Sequence, residues 1–459
     1  MGGGAAPIAT HDGSRRRLTV GLLMVVVAIA FEAMAVLTAM PAAATDLGDL
    51  DLYAWAFTAF VIAQTFSTVA AGQLSDRLGP IPPLVAGFAV FTGGLVLAAL
   101  APTMSVLLLA RFVQGLGGGT MNLAVMVVVA RVFDERERAD LMTGFSAAWM
   151  GPAFVGPPVA AWLADTWSWH WVFWSVLPLL LLAAVLMAGP LRRVTLRPSE
   201  PAPAKKRHLG LAAFVAMGAA LLQWAGQRIE PLSVVWAVLG VGLLAWGLPP
   251  LMPRGFSWVG RGLAAVIAVR TLTSGAFFGA QTFLPLMLVQ VRHLPLLWAG
   301  ATMTVGSVGW MAGAWLQSRP WFHLRRDAII VVGAGATAGG LAALAFTGWL
   351  PDAWLAIAVA GWIAAGMGMG LSVASTSLAV MQLSDVAELG RNTSALQVGE
   401  ALGNSVGAGL AGTLFVLGTP TGNPGLTYGG LLTAMTATAF LGLMAAGRIG
   451  AVQNHSVSL

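Results

Sequence analysis

The stretch Gly72-Gln73-Leu74-Ser75-Asp76-Arg77-Leu78-Gly79 joins two long apolar runs, at residues 52–75 and 81–101. Each run has about the 20 mostly apolar residues that an α-helix needs to cross a bilayer. The charged pair Asp76-Arg77 and the glycine after it interrupt the apolar sequence for only a few residues. We therefore predict two membrane-spanning helices, which run antiparallel because the connection between them is short.

The same alternation of apolar runs and short polar breaks continues outward from this turn along the whole chain. It predicts fourteen spans, at 18–45, 52–75, 81–101, 105–133, 137–164, 171–189, 209–226, 232–250, 261–290, 297–317, 327–348, 354–381, 391–417 and 425–448. The strands of a β-barrel would instead show alternating segments of about ten residues. The predicted fold class is therefore an all-α integral membrane protein.

Composition excludes several classes of protein. Of the 459 residues, 58% are hydrophobic and 9% are charged, whereas a soluble domain carries about 25% charged residues. Mean hydropathy is +0.81. A soluble enzyme, a disordered chain and a nucleic-acid reader are therefore excluded. The chain has no cysteine, its six histidines show no metal spacing and no phosphate-binding loop occurs, so we expect neither a cofactor, a metal site nor an enzyme.

The arginines and lysines predict the orientation of the chain, because cytoplasmic loops of membrane proteins are enriched in them. With the N-terminus in the cytoplasm, 20 of the 24 basic residues fall on cytoplasmic segments, two (Arg228 and Arg292) on outer loops and two inside spans. The cytoplasmic ones are spread over eight segments rather than one groove, so no nucleic-acid partner is expected. We predict a multi-pass protein of a bacterial cytoplasmic membrane with both termini inside.

The longest hydrophilic connection, at 192–208, divides the chain after the sixth span, and a second basic break follows the eighth. We predict six helices, then two, then six, in the manner of transporters built from two bundles. The predicted domains are a tail (1–17), a six-helix bundle (18–191), a linker (192–208), a central hairpin (209–254), a second six-helix bundle (255–448) and a tail (449–459).

Two segments resemble motifs of the major facilitator superfamily. The turn at 72–79 is similar to its signature loop Gly-x-Leu-x-Asp-Arg-x-Gly-Arg-Arg/Lys, although Pro80 and Ile81 stand where the family has its basic pair. Residues 111–119, Arg-Phe-Val-Gln-Gly-Leu-Gly-Gly-Gly, resemble the Arg-x-x-Gln-Gly-x-Gly motif of span four. In the family this arginine is associated with proton coupling. We expect Gly72 to allow a close approach of helices.

Two further segments resemble motifs of exporters. Residues 156–161, Gly-Pro-Pro-Val-Ala-Ala, with Trp-x-Trp-x-Phe at 169–173, resemble the antiporter motif Gly-Pro-x-x-Gly-Gly, whose last two glycines are alanine here. Glu32 and the Ala-Met-Pro at 39–41 match part of a motif of the fourteen-helix drug:proton antiporter branch, which has aspartate at the acidic position. The resemblance implies that gating and conformational change involve Gly72, Asp76, Arg77, Gly79, Gly156 and Pro157.

Four charged residues lie inside predicted spans: Glu32, Arg111, Arg270 and Glu400. Each costs about 2.5–3.5 kcal/mol at the bilayer centre, so such residues are functional candidates by default. Loss of water disfavours a charged carboxyl, so Glu32 could bind and release a proton, or it could be a packing acid hydrogen-bonded to a neighbour. Arg111 could act on Glu32 or hold backbone carbonyls, and its estimated depth, nearer the outer side, leaves direct contact open.

Arg270 and Glu400 each lie about nine residues from a cytoplasmic helix end, some 13 Å deep at about 1.5 Å per residue. They are therefore the natural pair across spans nine and thirteen, either for proton coupling or as a permanent structural ion pair. Polar and aromatic residues in the spans are candidates for the wall of a substrate cavity, or for contacts between helices: Gln64, Asn122, Trp149, Phe277, Gln281, Trp310, Gln397 and Asn404. The tryptophans at 167–174 are predicted to anchor a helix end at the membrane interface.

These observations predict a secondary active transporter that exports drug-like or amphiphilic compounds in exchange for protons, by alternating access. Export of one specific metabolite, peptide or lipid by the same fold is the nearer alternative, and a membrane enzyme or sensor the remote one. The expected partners are the lipid bilayer, a small-molecule substrate and protons, with the proton gradient as the source of energy and a monomer as the functional unit.

Overall fold

The computed structural model describes residues 12–193, 206–227, 230–319, 321–322, 324–350, 352–385 and 388–452. In these ranges the chain is almost entirely helical, and no described residue is in a β-strand. The predicted all-α class is therefore confirmed. Most of the linker predicted at 192–208, the outer Arg228 and the ends of both tails lie outside the described residues.

Fourteen α-helices occupy the described residues, one for each predicted span. They are α1 Asp12–Leu47, α2 Trp55–Leu78, α3 Ile81–Ala99, α4 Met104–Val132, α5 Glu135–Thr166, α6 His170–Arg193, α7 Lys206–Gln227, α8 Ser233–Gly247, α9 Leu263–Gln290, α10 Leu296–Gln317, α11 Arg326–Trp349, α12 Leu355–Leu383, α13 Leu389–Gly418 and α14 Gly430–Ala446. By length and composition, 11 helices in the described part can cross a membrane. α5, α7 and α10 are not among them, and α7 contains a shorter apolar stretch, Ala213–Gly226.

Local chemistry sets several helix ends. Thr103 caps α4 by accepting a hydrogen bond from the backbone N–H of Val106 (3.3 Å). Asp134 and Glu137 form a reciprocal capping box at the start of α5. Gly79, in the turn between α2 and α3, has a φ of +81°, which a residue with a Cβ adopts only with strain. The last glycine of the motif at 72–79 is therefore required by this turn.

By their mutual contacts the chain divides into two compact units, Met1–Leu47 with Ala63–Leu209 and Gly48–Ile62 with Gly210–Leu459, of which only the described residues are considered. In the first unit α1 packs on α5 and α6, and α3 packs on α4 and α6. A Cβ at Gly117 would lie 2.3 Å from the backbone nitrogen of Phe91. The glycines of α4 therefore let α3 and α4 pack backbone against backbone.

In the second unit α9 packs on α12, α13 and α14, while α12 also packs on α10 and α11. α9 and α13 approach closely, because a Cβ at Gly407 would lie 2.0 Å from the carbonyl oxygen of Gly275. The first turns of α2 belong to this unit, and the ring of Tyr53 lies 5.3 Å from that of Phe283 in α9. The division predicted from the sequence, into two six-helix bundles with a hairpin between them, stays a prediction.

Loops predicted to share one side of the membrane contact one another within each unit. In the first unit Arg15 pairs with Glu137 (2.8 Å) on the predicted inner side. On the predicted outer side, the Trp169 indole donates to Asp46 (2.9 Å). In the second unit Arg391 donates to the carbonyl oxygen of Met252 (2.6 Å), so the start of α13 meets the connection after α8. These contacts agree with the sides predicted for these segments, whereas the orientation of the chain stays a prediction.

Candidate functional site

An ion pair is buried in the first unit between α1 and α4. The guanidinium of Arg111 donates from Nη1 to Oε1 of Glu32 and to Oε1 of Gln114. Glu32 is 0% exposed and Arg111 is 3% exposed, and Gln114 is buried as well. Arg111 and Gln114 are three residues apart on α4, a spacing that places both side chains on one helix face. The direct contact that the depth estimate left open is therefore present.

This buried cluster has spare hydrogen-bonding capacity. Oε2 of Glu32 and Nε2 of Gln114 have no hydrogen-bond partner among the described residues. A buried polar atom without a partner costs about 1–3 kcal/mol. The free oxygen of Glu32 is therefore an energetically favourable place for a proton or for a hydrogen-bond donor. Chemically, the cluster can hold either a carboxylate paired with Arg111 or a neutral carboxyl.

The antiporter-like segment of α5 lies against the same part of α1. A Cβ at Gly156 would lie 3.2 Å from Cβ of Met34, closer than such atoms normally approach, and 3.8 Å from the ring of Phe31. Pro157 beside it is buried. The segment at 156–157 therefore packs on the face of α1 that carries Phe31 and Met34.

A second ion pair lies in the second unit and joins three helices. Arg270 of α9 donates from Nη2 to Oε2 of Glu400 of α13 (2.9 Å) and from Nη1 to Oγ1 of Thr376 of α12 (2.7 Å). It also donates to the carbonyl oxygen of Val373. Arg270 is buried, while the Glu400 side chain keeps 20% of its surface exposed. The ion pair predicted from equal depth is therefore present, whereas its role in coupling stays a prediction.

Unpaired polar atoms continue from this ion pair along α9 and α13. Ser274 follows Arg270 by one helical turn, and Asn404 follows Glu400 by one turn. Oγ of Ser274, Oδ1 of Asn404 and Oε1 of Gln281 are buried and have no hydrogen-bond partner among the described residues. This part of the unit can therefore accept hydrogen bonds from a polar ligand.

Aromatic rings flank the same region of α9. Phe277 stacks on Trp362 with centroids 4.6 Å apart and planes 8° apart. It also contacts the rings of Phe278 at 5.5 Å and Trp310 at 5.6 Å. Phe277 is only 3% exposed. The structure therefore places it in an aromatic stack rather than on an open wall, whereas Trp310 keeps partial exposure.

The remaining candidates take part in neither of the two ion pairs among the described residues. The backbone of Gln64 on α2 lies against α4, since a Cβ at Gly119 would be 2.3 Å from its carbonyl oxygen. The exposed candidates are Arg77, Asn122, Trp149 and Gln397. Asp76 lies in α2, and its side chain is outside the described part of the structure.

Two expectations from the sequence are wrong. A Cβ at Gly72 would meet Cδ2 of Leu123 at 3.4 Å, an ordinary contact, so no close approach of helices requires this glycine. Among the tryptophans predicted as interface anchors, Trp169 is buried and bonded to Asp46, because its indole N–H completes a contact between loops. Trp167 and Trp171 are exposed, as an anchor requires.

Two residues of these clusters were missed as candidates. The spacing of Gln114 from Arg111 is a signal that could have identified it. Thr376 has no such signal, because only the packing of α12 on α9 brings it to Arg270.

Curated relatives of the chain include bacterial transporters. The chain is 26% identical over 427 residues to the multidrug transporter protein MdtP of Bacillus subtilis, covering 90% of this chain and 77% of that protein. It is also 26% identical over 427 residues to the probable multidrug-efflux transporter Rv1634 of Mycobacterium tuberculosis, with 88% of each chain covered. Both names describe transporters of drugs, and these relationships extend over nearly the whole chain.

The fold is shared with solved structures at lower sequence identity. A POT family transporter, crystallised in complex with 5-aminolevulinic acid, superposes with a TM-score of 0.72 at 14% identity, covering 94% of this chain and 96% of that one. A sequence profile described as Major Facilitator Superfamily matches residues 22–408, which include both intramembrane ion pairs. Because this match spans most of an all-helical chain with the same fold, the chain belongs to the Major Facilitator Superfamily.

Proposed function

We propose that this chain is a secondary active exporter that exchanges protons for drug-like or amphiphilic compounds across a bacterial cytoplasmic membrane. The observation that carries the proposal is the Glu32–Arg111 pair, a fully buried acid bonded to a buried base with one carboxyl oxygen left over. Relatives named multidrug transporters support the substrate class. The proton gradient is the energy source, and neither a cofactor nor an enzymatic step takes part.

The proposed topology has fourteen spans with both termini in the cytoplasm and a monomer as the working unit. Its support is the distribution of basic residues, with 20 of 24 on one side. A second support is the contact of loops assigned to the same side, as between Arg15 and Glu137 or between Arg391 and Met252.

In the proposed mechanism the protonation state of Glu32 biases alternating access. The deprotonated carboxylate holds Arg111, whereas a proton on Glu32 removes one charge of the pair and weakens the hold on a guanidinium from which Gln114 still accepts a hydrogen bond. Loss of one partner of a buried pair is worth about 3–5 kcal/mol. Inverting a conformational equilibrium from 1:99 to 99:1 requires about 5.5 kcal/mol. A proton shifts this equilibrium by the difference in its affinity for Glu32 between the two states.

Substrate contacts are assigned to the polar stretch of α9 and α13. Ser274, Gln281 and Asn404 offer unpaired atoms there, and the partly exposed Glu400 adds a carboxylate to them. Arg270 acts as a positioning residue, because its bonds to Thr376 and Glu400 fix where that carboxylate lies.

The test is transport by the purified full chain in proteoliposomes. A fluorescent lipophilic cation such as ethidium is offered with an imposed pH gradient, and the gradient is then collapsed with nigericin. The proposal predicts accumulation that needs the protein and stops when the gradient is collapsed. Accumulation that continues without the gradient overturns proton coupling. Failure across a panel of amphiphiles, with transport of a single metabolite instead, overturns the substrate class.

A further inference from the structure

A pocket of about 340 Å³ lies beside the connection between α8 and α9, in the second unit. Its apolar lining includes Leu248, Met252, Phe256 and Trp258. Met252 is completely buried in the core of the unit, whereas Trp258 is partly exposed and meets Phe256 edge to face at 5.0 Å. The floor of the pocket is therefore firmly packed, and its rim is aromatic and open.

Two arginines complete the lining, Arg254 from the connection and Arg391 from the start of α13. One guanidinium nitrogen of Arg391 is held by the carbonyl oxygen of Met252 at 2.6 Å, which fixes the charge at the pocket. Arg254 is 82% exposed and reaches Glu388 only at 3.5 Å, so its guanidinium is able to turn toward a ligand. The carboxylate of Glu388 is the competing anion.

The charge around the pocket is positive in sum. Arg261 and Arg448 lie exposed at the same end of the unit, where the backbone N–H of Gly262 donates to the carbonyl oxygen of Arg448 (3.2 Å). Asp385 adds one more acid near Glu388, to whose backbone N–H its carbonyl oxygen is bonded (2.9 Å). Two arginines and no acid line the pocket itself, which favours an anionic ligand.

An exposed apolar stripe of α8 leads directly into the pocket. Val234, Val238, Val241 and Ala245 recur at intervals of three or four residues, and Leu248 of the pocket continues the series. Their spacing places them on one face of the helix. Val234 and Val238 are each 66% exposed. A soluble phosphate ion has no apolar part that could contact this surface, whereas the acyl chain of a lipid can lie along it.

We propose that this pocket binds the headgroup phosphate of an anionic phospholipid, with an acyl chain along the stripe of α8. Basic pockets at the cytoplasmic ends of membrane helices suit such headgroups, because each arginine near the surface adds attraction for the anionic lipid. The lipid bridges the end of α8 and the start of α13 within the second unit. The inference is independent of what the chain transports.

The test is native mass spectrometry of the purified full chain, titrated with phosphatidylglycerol against phosphatidylcholine. We expect the wild type to bind one molecule of phosphatidylglycerol in preference to phosphatidylcholine. The variant Arg254→Gln should bind phosphatidylglycerol about fivefold more weakly. Glu388→Gln removes the competing anion, so it should bind the lipid more tightly. Arg325→Gln is the matched control, since Arg325 is also exposed and paired with an acid, Asp327.

Equal binding of phosphatidylglycerol by the wild type and Arg254→Gln overturns the proposal. Weaker binding of the lipid by Glu388→Gln than by the wild type also overturns it. So does a loss of lipid affinity in Arg325→Gln as large as that in Arg254→Gln. Inorganic phosphate and glycerol phosphate form a separate arm of the titration. If either displaces the lipid at millimolar concentration, the ligand is a soluble anion rather than a lipid, and the proposal fails in that form.

Discussion

Replacing Arg111 by methionine removes the only charged partner that Glu32 has among the described residues and leaves a side chain of similar length. Glu32 is fully buried and Arg111 nearly so, and solvent cannot take over the role of the missing partner. Removing one member of a buried pair costs about 3–5 kcal/mol. We therefore expect Arg111→Met to lower the free energy of unfolding by about that amount.

The double variant makes this prediction specific to the pair. Glu32→Gln keeps an oxygen that accepts from Arg111 but leaves the guanidinium without its counter-charge, so it should also destabilise the protein. With both substitutions no buried charge is left uncompensated. We expect the double variant to be more stable than the sum of the single effects predicts, by at least about 2 kcal/mol, within the range for groups in contact.

The assay is reversible unfolding of the four proteins in mixed micelles of increasing dodecyl sulfate content, followed by circular dichroism. The same cycle on Arg325 and Asp327, an exposed pair at 2.9 Å, is the control and should give a coupling of about 0.2–1 kcal/mol. If the effects of Glu32→Gln and Arg111→Met add within about 0.5 kcal/mol, the two residues do not act as a buried ion pair and the reasoning is refuted.

Two further predictions concern glycines and use thermal unfolding as the readout. Gly226→Val should destabilise the protein by about 1–3 kcal/mol, because a Cβ there would lie 2.0 Å from Oγ1 of Thr413 on α13. A Cβ at Gly242 would meet open space, so Gly242→Val should be close to neutral. Equal destabilisation by Gly226→Val and Gly242→Val would contradict the packing of α7 on α13. Gly79→Ala should cost about 1–2 kcal/mol, since φ is +81°. Gly72→Ala should destabilise the protein much less than Gly79→Ala. A larger effect of Gly72→Ala would show that the turn between α2 and α3 is misassigned.

The number of helices was predictable because each span is an independent signal. An apolar run of about 20 residues between polar breaks needs no tertiary contact to be recognised. The pair of Arg270 and Glu400 was predictable for a similar reason, since equal depth on two neighbouring helices follows from counting residues. Glycine and proline motifs indicated the family, but they did not indicate which glycines the packing requires.

Contacts that depend on how helices tilt and face one another were not predictable. Depth counted along a straight span left the contact between Arg111 and Glu32 open, because helices tilt by about 20° and an arginine side chain is long. The sequence favoured Phe277 as a residue of the cavity wall, but in the structure Trp362 of another helix stacks on it. Thr376 reaches Arg270 only through the packing of α12 on α9. A single sequence does not show which side chains of different helices contact one another.

The central claim is that Glu32 couples protons to export rather than merely supporting the fold. The most direct measurement compares two modes of transport by Glu32→Gln in proteoliposomes, with Glu230→Gln, an exposed carboxyl between α7 and α8, as the control. Substrate counterflow needs no net proton movement, whereas accumulation in a pH gradient does. We predict that Glu32→Gln retains counterflow and loses gradient-driven accumulation, while the control retains both. Full gradient-driven accumulation by Glu32→Gln would contradict the account.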